Sequence, residues 1–130
     1  MLDTDADAVL GIEQQTLSPW SQSALFSELE YDRGICLVAE RNGLHSAKPQ
    51  VVGWCSCRYL SPEAELLKIA VHKKCRNLGI ATSLLSDLEQ MLKAKNVEKL
   101  FLEVRSQNHS AVNFYYKNGF LQVGVRLEYY

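Results

Sequence analysis

The chain contains no apolar run approaching the roughly 20 residues that a membrane-spanning helix requires. It also carries almost no net charge: 14 Lys and Arg against 15 Asp and Glu leave −1, without the basic footprint of a nucleic-acid binder. Its start, MLDTDADAVLG, is acidic and lacks the basic-then-apolar pattern of a signal peptide. The four cysteines, Cys36, Cys55, Cys57 and Cys75, form no CxxC pair, and a domain of 130 residues does not depend on disulfide staples. A metal site built from Cys55, Cys57, His72 and Cys75 would fit no common zinc spacing, so no metal and reduced, mostly buried thiols are expected. GxxxxGK[ST] and GxGxxG are both absent, which excludes a Walker loop and a dinucleotide fingerprint. No repeat, low-complexity tract or linker divides the chain, so residues 1–130 are expected to form one domain. The expected class is a cytoplasmic globular protein with neither a membrane nor a nucleic-acid partner.

What is present is an ordinary globular composition, 47% hydrophobic and 22% charged. Residues 4–16 read as a helix with Ala8, Val9 and Ile12 on one stripe. Pro19 breaks the pattern, Ser21 is placed to cap a second helix, and Leu25, Phe26 and Leu29 form that helix's apolar face. ICLVAE (35–40), VVGWCSCRYL (51–60) and AELLKIAV (64–71) read as three strands. Residues 78–95 form a helix with Ile80, Leu84, Leu88, Met91 and Leu92 at helical spacing. KLFLEV (99–104) is a strand with Leu100, Leu102 and Val104 on one face and Phe101 and Glu103 on the other. A further helix opens at Asn108 and stops at Gly119, and LQVGVRLEYY reads as a last strand. The order α-α-β-β-β-α-β-α-β predicts an α/β sandwich whose mixed sheet is antiparallel first and parallel later.

One junction stands out. CRNLGIATSLL (75–85) turns from a strand into a helix whose first turn holds Gly79 and Ala81, so its orphan N–H groups have little side-chain cover. Those amides and the helix dipole suit a phosphate, and Arg76 adds a forked positive charge. Small residues that only let the helix pack closely on its strand explain the same spacing equally well.

The stretch LLKIAVHKKCRNLGIATSLL resembles the acetyl-CoA signature of the GNAT N-acetyltransferases, [RQ]-x-x-G-x-[GA], with Arg76, Gly79 and Ala81 at its specified positions. LEVRSQNHSAVNFYYKNGF is similar to that family's second signature. Together with SPW near the start, the combination is most similar to the bacterial ribosomal-protein-alanine N-acetyltransferase group. The resemblance implies a GNAT-like α/β/α sandwich around a mixed, twisted sheet. It also implies acetyl-CoA as cosubstrate and a protein N-terminal α-amine, such as the N-terminal alanine of a ribosomal protein, as acceptor. Ile69, Ala70 and Val71 would line the pantetheine arm as an extra strand would. Arg76, Asn77, Leu78, Gly79, Ile80, Ala81 and Thr82 would hold the pyrophosphate, and Asn108 would bond the pantetheine further along. Glu103 would act as general base and Tyr115 as general acid. A small-molecule amine acetyltransferase and a non-catalytic acyl-CoA-binding module are the alternatives, the first separated by an acceptor groove that includes the Trp20 region.

The chemistry itself asks for such groups. An α-amine with a reference pKa of about 7.7–8.0 must lose a proton before it attacks a thioester, and a partly buried carboxylate can take it. A tyrosine with a reference pKa of about 10 stays protonated and can donate to the departing sulfur. Glu63 and Glu65 are rival bases on the preceding strand, Tyr116 points about 100° away from Tyr115, and His72 and His109 read as loop residues. Asn77 stands where the resembled group usually has Arg, and HKK replaces a proline-containing turn, although Lys73 and Lys74 return charge nearby. The first and last strands of the resembled fold are expected to be missing. The apolar alternation of Leu121, Val123, Val125 and Leu127 would then leave an edge that pairs with a second copy of the chain.

Overall fold

The computed structural model describes residues 1, 3–42, 49–105 and 107–121. Single 3-10 turn Asp3–Asp5 leads into α1 (Ala6–Glu13), followed by α2 (Gln22–Leu29), β1 (Gly34–Asn42), β2 (Pro49–Leu60) and β3 (Glu63–Val71). A 3-10 turn at Lys73–Cys75 precedes α3 (Ile80–Ala94), β4 (Lys99–Leu102) and α4 (His109–Lys117). The four strands lie in the order β1-β2-β3-β4. The first three are antiparallel, and β4 joins β3 in parallel after the α3 crossover, so the expected mixed α/β sheet is what forms.

Alternation along the strands sorts the core into two layers. Ile35, Cys55, Cys57, Ala64 and Leu66 meet Leu84, Leu85, Leu88 and Leu92 of α3 on one face. Trp54 and Ala70 meet Ala6, Val9 and Ile12 of α1 and Leu25 of α2 on the other. Gly53 lets α3 lie close: a Cβ there would stand 3.2 Å from Ile80 Cγ2 and 3.3 Å from Leu84 Cδ1. Among the described residues, no helix is long and apolar enough to cross a membrane.

Several boundaries differ from the pattern-based expectation, each for a local reason. The first helix ends at Glu13, where Gln15 and Thr16 turn back onto the Ile12 and Glu13 carbonyls; its buried stripe is Ala6, Val9, Ile12 and Glu13, and Ala8 is exposed. Helix α3 starts at Ile80 because Gly79 has φ +79°, outside the helical region. Met91 is 40% exposed, on the edge of the apolar stripe. Strand β4 stops at Leu102, opposite Leu66, the last residue before the surplus residue on β3. Ser21 and Asn108 do cap their helices, accepting the Ala24 and Ala111 amides at 3.1 and 3.2 Å, and Gly119 ends α4 with φ +92°. Residues 122–130, and with them the expected last strand and its pairing with a second copy, lie outside the described residues.

Candidate active site

The site begins with one surplus residue. In the β2–β3 ladder Ser56 faces Lys68 and Cys57 faces Leu66, so Leu67 is an extra residue on β3. Such a bulge bends its strand and increases local twist. The parallel pairing with β4 runs only from Glu63–Lys99 to Leu66–Leu102, ending where the bulge begins. Beyond it, Leu67–Val71 and the chain leaving β4 diverge into a cleft.

Backbone polarity inside the cleft follows from the ladder. The His72 N–H donates to the Val52 carbonyl at 2.7 Å. Alternation then turns the amide and carbonyl of Ala70 towards β2, where the Ala70 oxygen lies 3.3 Å from an ideal Gly53 Cβ. Ile69 and Val71 must point theirs into the cleft, and the Val71 carbonyl indeed accepts from Arg76 Nε at 3.4 Å. Among the described residues, no strand pairs with this half of β3 on the side away from β2.

The chain leaving β3 makes the turn that the sequence singled out. His72 Nδ1 accepts the Lys74 amide at 3.1 Å and closes the 3-10 turn, so His72 shapes the loop. Asn77 and Gly79 both take positive φ, +64° and +79°, and deliver the chain to α3. The first helical bond is from the Ser83 amide to the Gly79 carbonyl, at 3.0 Å. The amides of Ile80, Ala81 and Thr82 therefore have no partner within the helix, and no side chain among the described residues caps it. A Cβ at Gly79 would meet nothing within 4 Å, so the turn into the helix is open around that residue. Lys73, Lys74, Arg76, Asn77 and Leu78 are exposed around it. Uncapped amides at a helix N-terminus, with Lys73, Lys74 and Arg76 exposed on the loop before it, are an arrangement that can receive an anion.

Glu103 follows β4 at the point of divergence. It is half-buried, with Oε2 out of contact with solvent. Leu100 and Leu102 face the α3 layer; carried one residue past the end of β4, that alternation puts Glu103 on the opposite side, that of α1 and α2. Tyr115 sits on α4 against the α3 layer, edge-on to Phe114 and Phe120 at 5.3 and 5.6 Å between ring centres. Burial pushes its hydroxyl up to about 12, so it is protonated throughout the neutral range. Tyr116 is 50% exposed, as its helical offset requires. The rival carboxylates Glu63 and Glu65 are exposed on the half of β3 that is paired on both sides. A separate groove of about 500 Å³ between β1 and α3 lies at the opposite edge of the sheet from this cleft.

An unpaired strand edge beside an uncapped helix N-terminus can receive an extended molecule that ends in phosphate. Comparison with known proteins shows the family. The sequence profile of the Acetyltransferase (GNAT) family matches residues 6–120. The chain belongs to the GNAT family. It is 35% identical to the [Ribosomal protein bS18]-alanine N-acetyltransferase of Haemophilus influenzae over 127 residues, covering 97% of this chain and 82% of that one. It is 32% identical to the N-alpha-acetyltransferase of Sulfurisphaera tokodaii, covering 98% and 81%. The crystal structure of the ribosomal-protein-S18-alanine N-acetyltransferase from Escherichia coli superposes with a TM-score of 0.87 at 29% identity, covering 100% of this chain and 80% of that one. This GNAT chain is thus an N-acetyltransferase, and GNAT enzymes use acetyl-CoA.

Among the described residues, no three His, Cys, Asp or Glu side chains converge to hold a metal. Cys55 and Cys57 are fully buried under α3, and burial pushes each thiol up to about 12. The pattern-based reading missed one polar cluster altogether. Glu13 is fully buried; it accepts the Trp20 amide at 2.9 Å and Trp54 Nε1–H at 3.0 Å, and pairs with Lys68 at 3.5 Å. Two signals pointed to it: Glu13 falls on the apolar stripe at Val9 plus four, and Lys68 interrupts the otherwise aliphatic LLKIAV.

Proposed function

We propose that this N-acetyltransferase acetylates the α-amine of a protein N-terminus, with the N-terminal alanine of ribosomal protein bS18 as its acceptor. The open half of β3 carries the reading: its backbone groups suit a pantetheine amide chain laid along them as an extra strand, supplied by Ile69 and Val71. Ala70, between them, keeps its side chain in the α1–α2 layer. The cradle from Arg76 to Thr82 then receives the pyrophosphate, and Lys73 and Lys74 supply charge that Asn77 does not. Asn108 uses Oδ1 for its cap, which leaves its amide nitrogen to bond the pantetheine.

Acetyl-CoA supplies an activated acyl group. The protein's part is proton management. Glu103, at the mouth of the cleft, takes the proton from the acceptor's ammonium directly or through a water. Glu63 and Glu65 are exposed on the half of β3 that is paired on both sides, away from its unpaired stretch. Tyr115 remains neutral and donates to the sulfur as the thioester bond breaks. The choice of a protein N-terminus over a small amine is supported by the named activities of the relatives that this chain matches along nearly its whole length.

The test is incubation of the purified protein with acetyl-CoA and a short peptide bearing the bS18 N-terminal sequence, read by mass. The expected result is one added acetyl group, lost when the peptide's α-amine is blocked. Faster acetylation of polyamines or amino sugars would move the acceptor to small molecules. Binding of acetyl-CoA without transfer to any amine would reduce the protein to an acyl-CoA-binding module.

A further inference from the structure

The bulge at Leu67 does more than open the cleft. Before it, the even-numbered Ala64 and Leu66 face α3; after it, the odd-numbered Ile69 does, and Ala70 faces α1. One extra residue therefore reverses the faces of β3, and Lys68 falls on the side of α1. There Lys68 Nζ donates to the Ser18 carbonyl at 2.9 Å and to Thr16 Oγ1 at 3.4 Å, while pairing with Glu13. Glu13 in turn accepts the Trp20 amide, and Trp20 stands edge-on to Trp54 with ring centres 5.3 Å apart. Gln15 Oε1 accepts the Lys73 amide at 2.8 Å. The connection between α1 and α2 is thus strapped at several points to the half of β3 that lines the cleft.

A buried carboxylate with three donors is costly to assemble unless every partner is in place. Such a cluster fixes one geometry. The strap lies on the face to which Glu103 is directed, opposite the layer holding α3 and Tyr115. We infer that Glu13 and Lys68 are positioning residues: they hold Thr16–Trp20 in register with the bulge as the wall against which the acceptor amine is aligned on Glu103. This rests on the acetyltransferase reading for the acceptor's role, whereas the strap itself does not depend on it.

Three variants decide it: Lys68→Met, Lys68→Arg and the double variant Glu13→Gln/Lys68→Met, which removes both members of the ion pair and so avoids leaving the buried carboxylate uncompensated. Lys68→Met is expected to raise the peptide KM about tenfold, with the dissociation constant of acetyl-CoA unchanged within twofold. Lys68→Arg restores the peptide KM. The double variant regains stability without regaining peptide KM, which separates positioning from folding. In both charge-removing variants, acrylamide quenches tryptophan emission more strongly, because Trp20 is released. A double variant with wild-type peptide KM, or acetyl-CoA affinity that falls in parallel with peptide affinity, overturns the inference. If the wild-type protein acetylates no peptide, the acceptor assignment fails separately. The quenching then decides for the strap: increased in the variants upholds it, unchanged overturns it.

Discussion

Replacing Gly79 with Ala, Asn and Asp separates what that position does for the fold from what it does for the ligand. A Cβ there meets no atom within 4 Å, so the only folding penalty is the left-handed φ of +79°. That penalty is about 1–2 kcal/mol for Ala and smaller for Asn or Asp, which tolerate this region. Asn77 already does so two residues earlier. For a chain of this size, 1 kcal/mol lowers Tm by about 3–5 °C. Asp should be at least as stable as Asn, because a carboxylate beside an uncapped helix N-terminus gains about 0.3–1 kcal/mol. Acetyl-CoA binding must respond with the opposite sign. Two unit charges about 5 Å apart in water repel by about 0.8 kcal/mol, so a carboxylate facing a doubly charged pyrophosphate costs about 1.7 kcal/mol, a factor of roughly 15 in affinity. Asp and Asn have the same shape, so the ratio of their dissociation constants isolates this repulsion. Calorimetry at low salt should give that ratio, and it should shrink at about 1 M salt, where the screening length is near 3 Å. Equal affinities for the two variants would place the pyrophosphate elsewhere.

Glu103→Gln should lower peptide turnover most at neutral pH and recover partly at high pH, where the acceptor amine deprotonates unaided; an unchanged pH–rate profile would transfer the base role to solvent. Tyr115→Phe should lose about 10²–10⁴-fold in turnover. The wild-type profile should show no loss from Tyr115 deprotonation below about pH 11, since burial holds its hydroxyl near 12. Tyr115, Cys55 and Cys57 all hold their protons more tightly folded than at their ordinary values of 10 and 9. Between pH 9 and 12 the native state therefore binds more protons than the unfolded one, and the stability these groups contribute, complete below pH 9, is lost across that window. Denaturant midpoints should fall accordingly. A disulfide reagent at pH 8 should label Cys55 and Cys57 only on unfolding; rapid labelling of all four thiols in the native protein would contradict their burial.

Much of this was legible in the residues because period and punctuation agreed. The stripe Leu84, Leu88, Leu92, the caps Ser21 and Asn108 and the stop at Gly119 each rest on one local rule, and each formed. Gly79 and Ala81 announced a junction, but two explanations fitted their spacing. The open space before Gly79 and the uncapped amides now support the anion site, while close packing is met by Gly53 instead. What pattern could not give was pairing between distant segments. Glu13 and Lys68 are 55 positions apart, and only the fold brings the two charges together. The early end of β4 was equally hidden, because it coincides with a surplus residue in another strand.

The surplus at Leu67 makes residue count a stricter constraint than residue identity over this part of the chain. A substitution in LLKIAV changes one contact. Deleting Leu67 would bring the two strands back into step, with Lys68 still opposite Ser56 on the α1 side, and would remove the bulge at which the pairing of β3 with β4 ends. The sheet would gain hydrogen bonds and lose its cleft. In this fold the ligand site is an arithmetic property, one residue more on β3 than on β2, so point changes can accumulate where a single-codon deletion cannot.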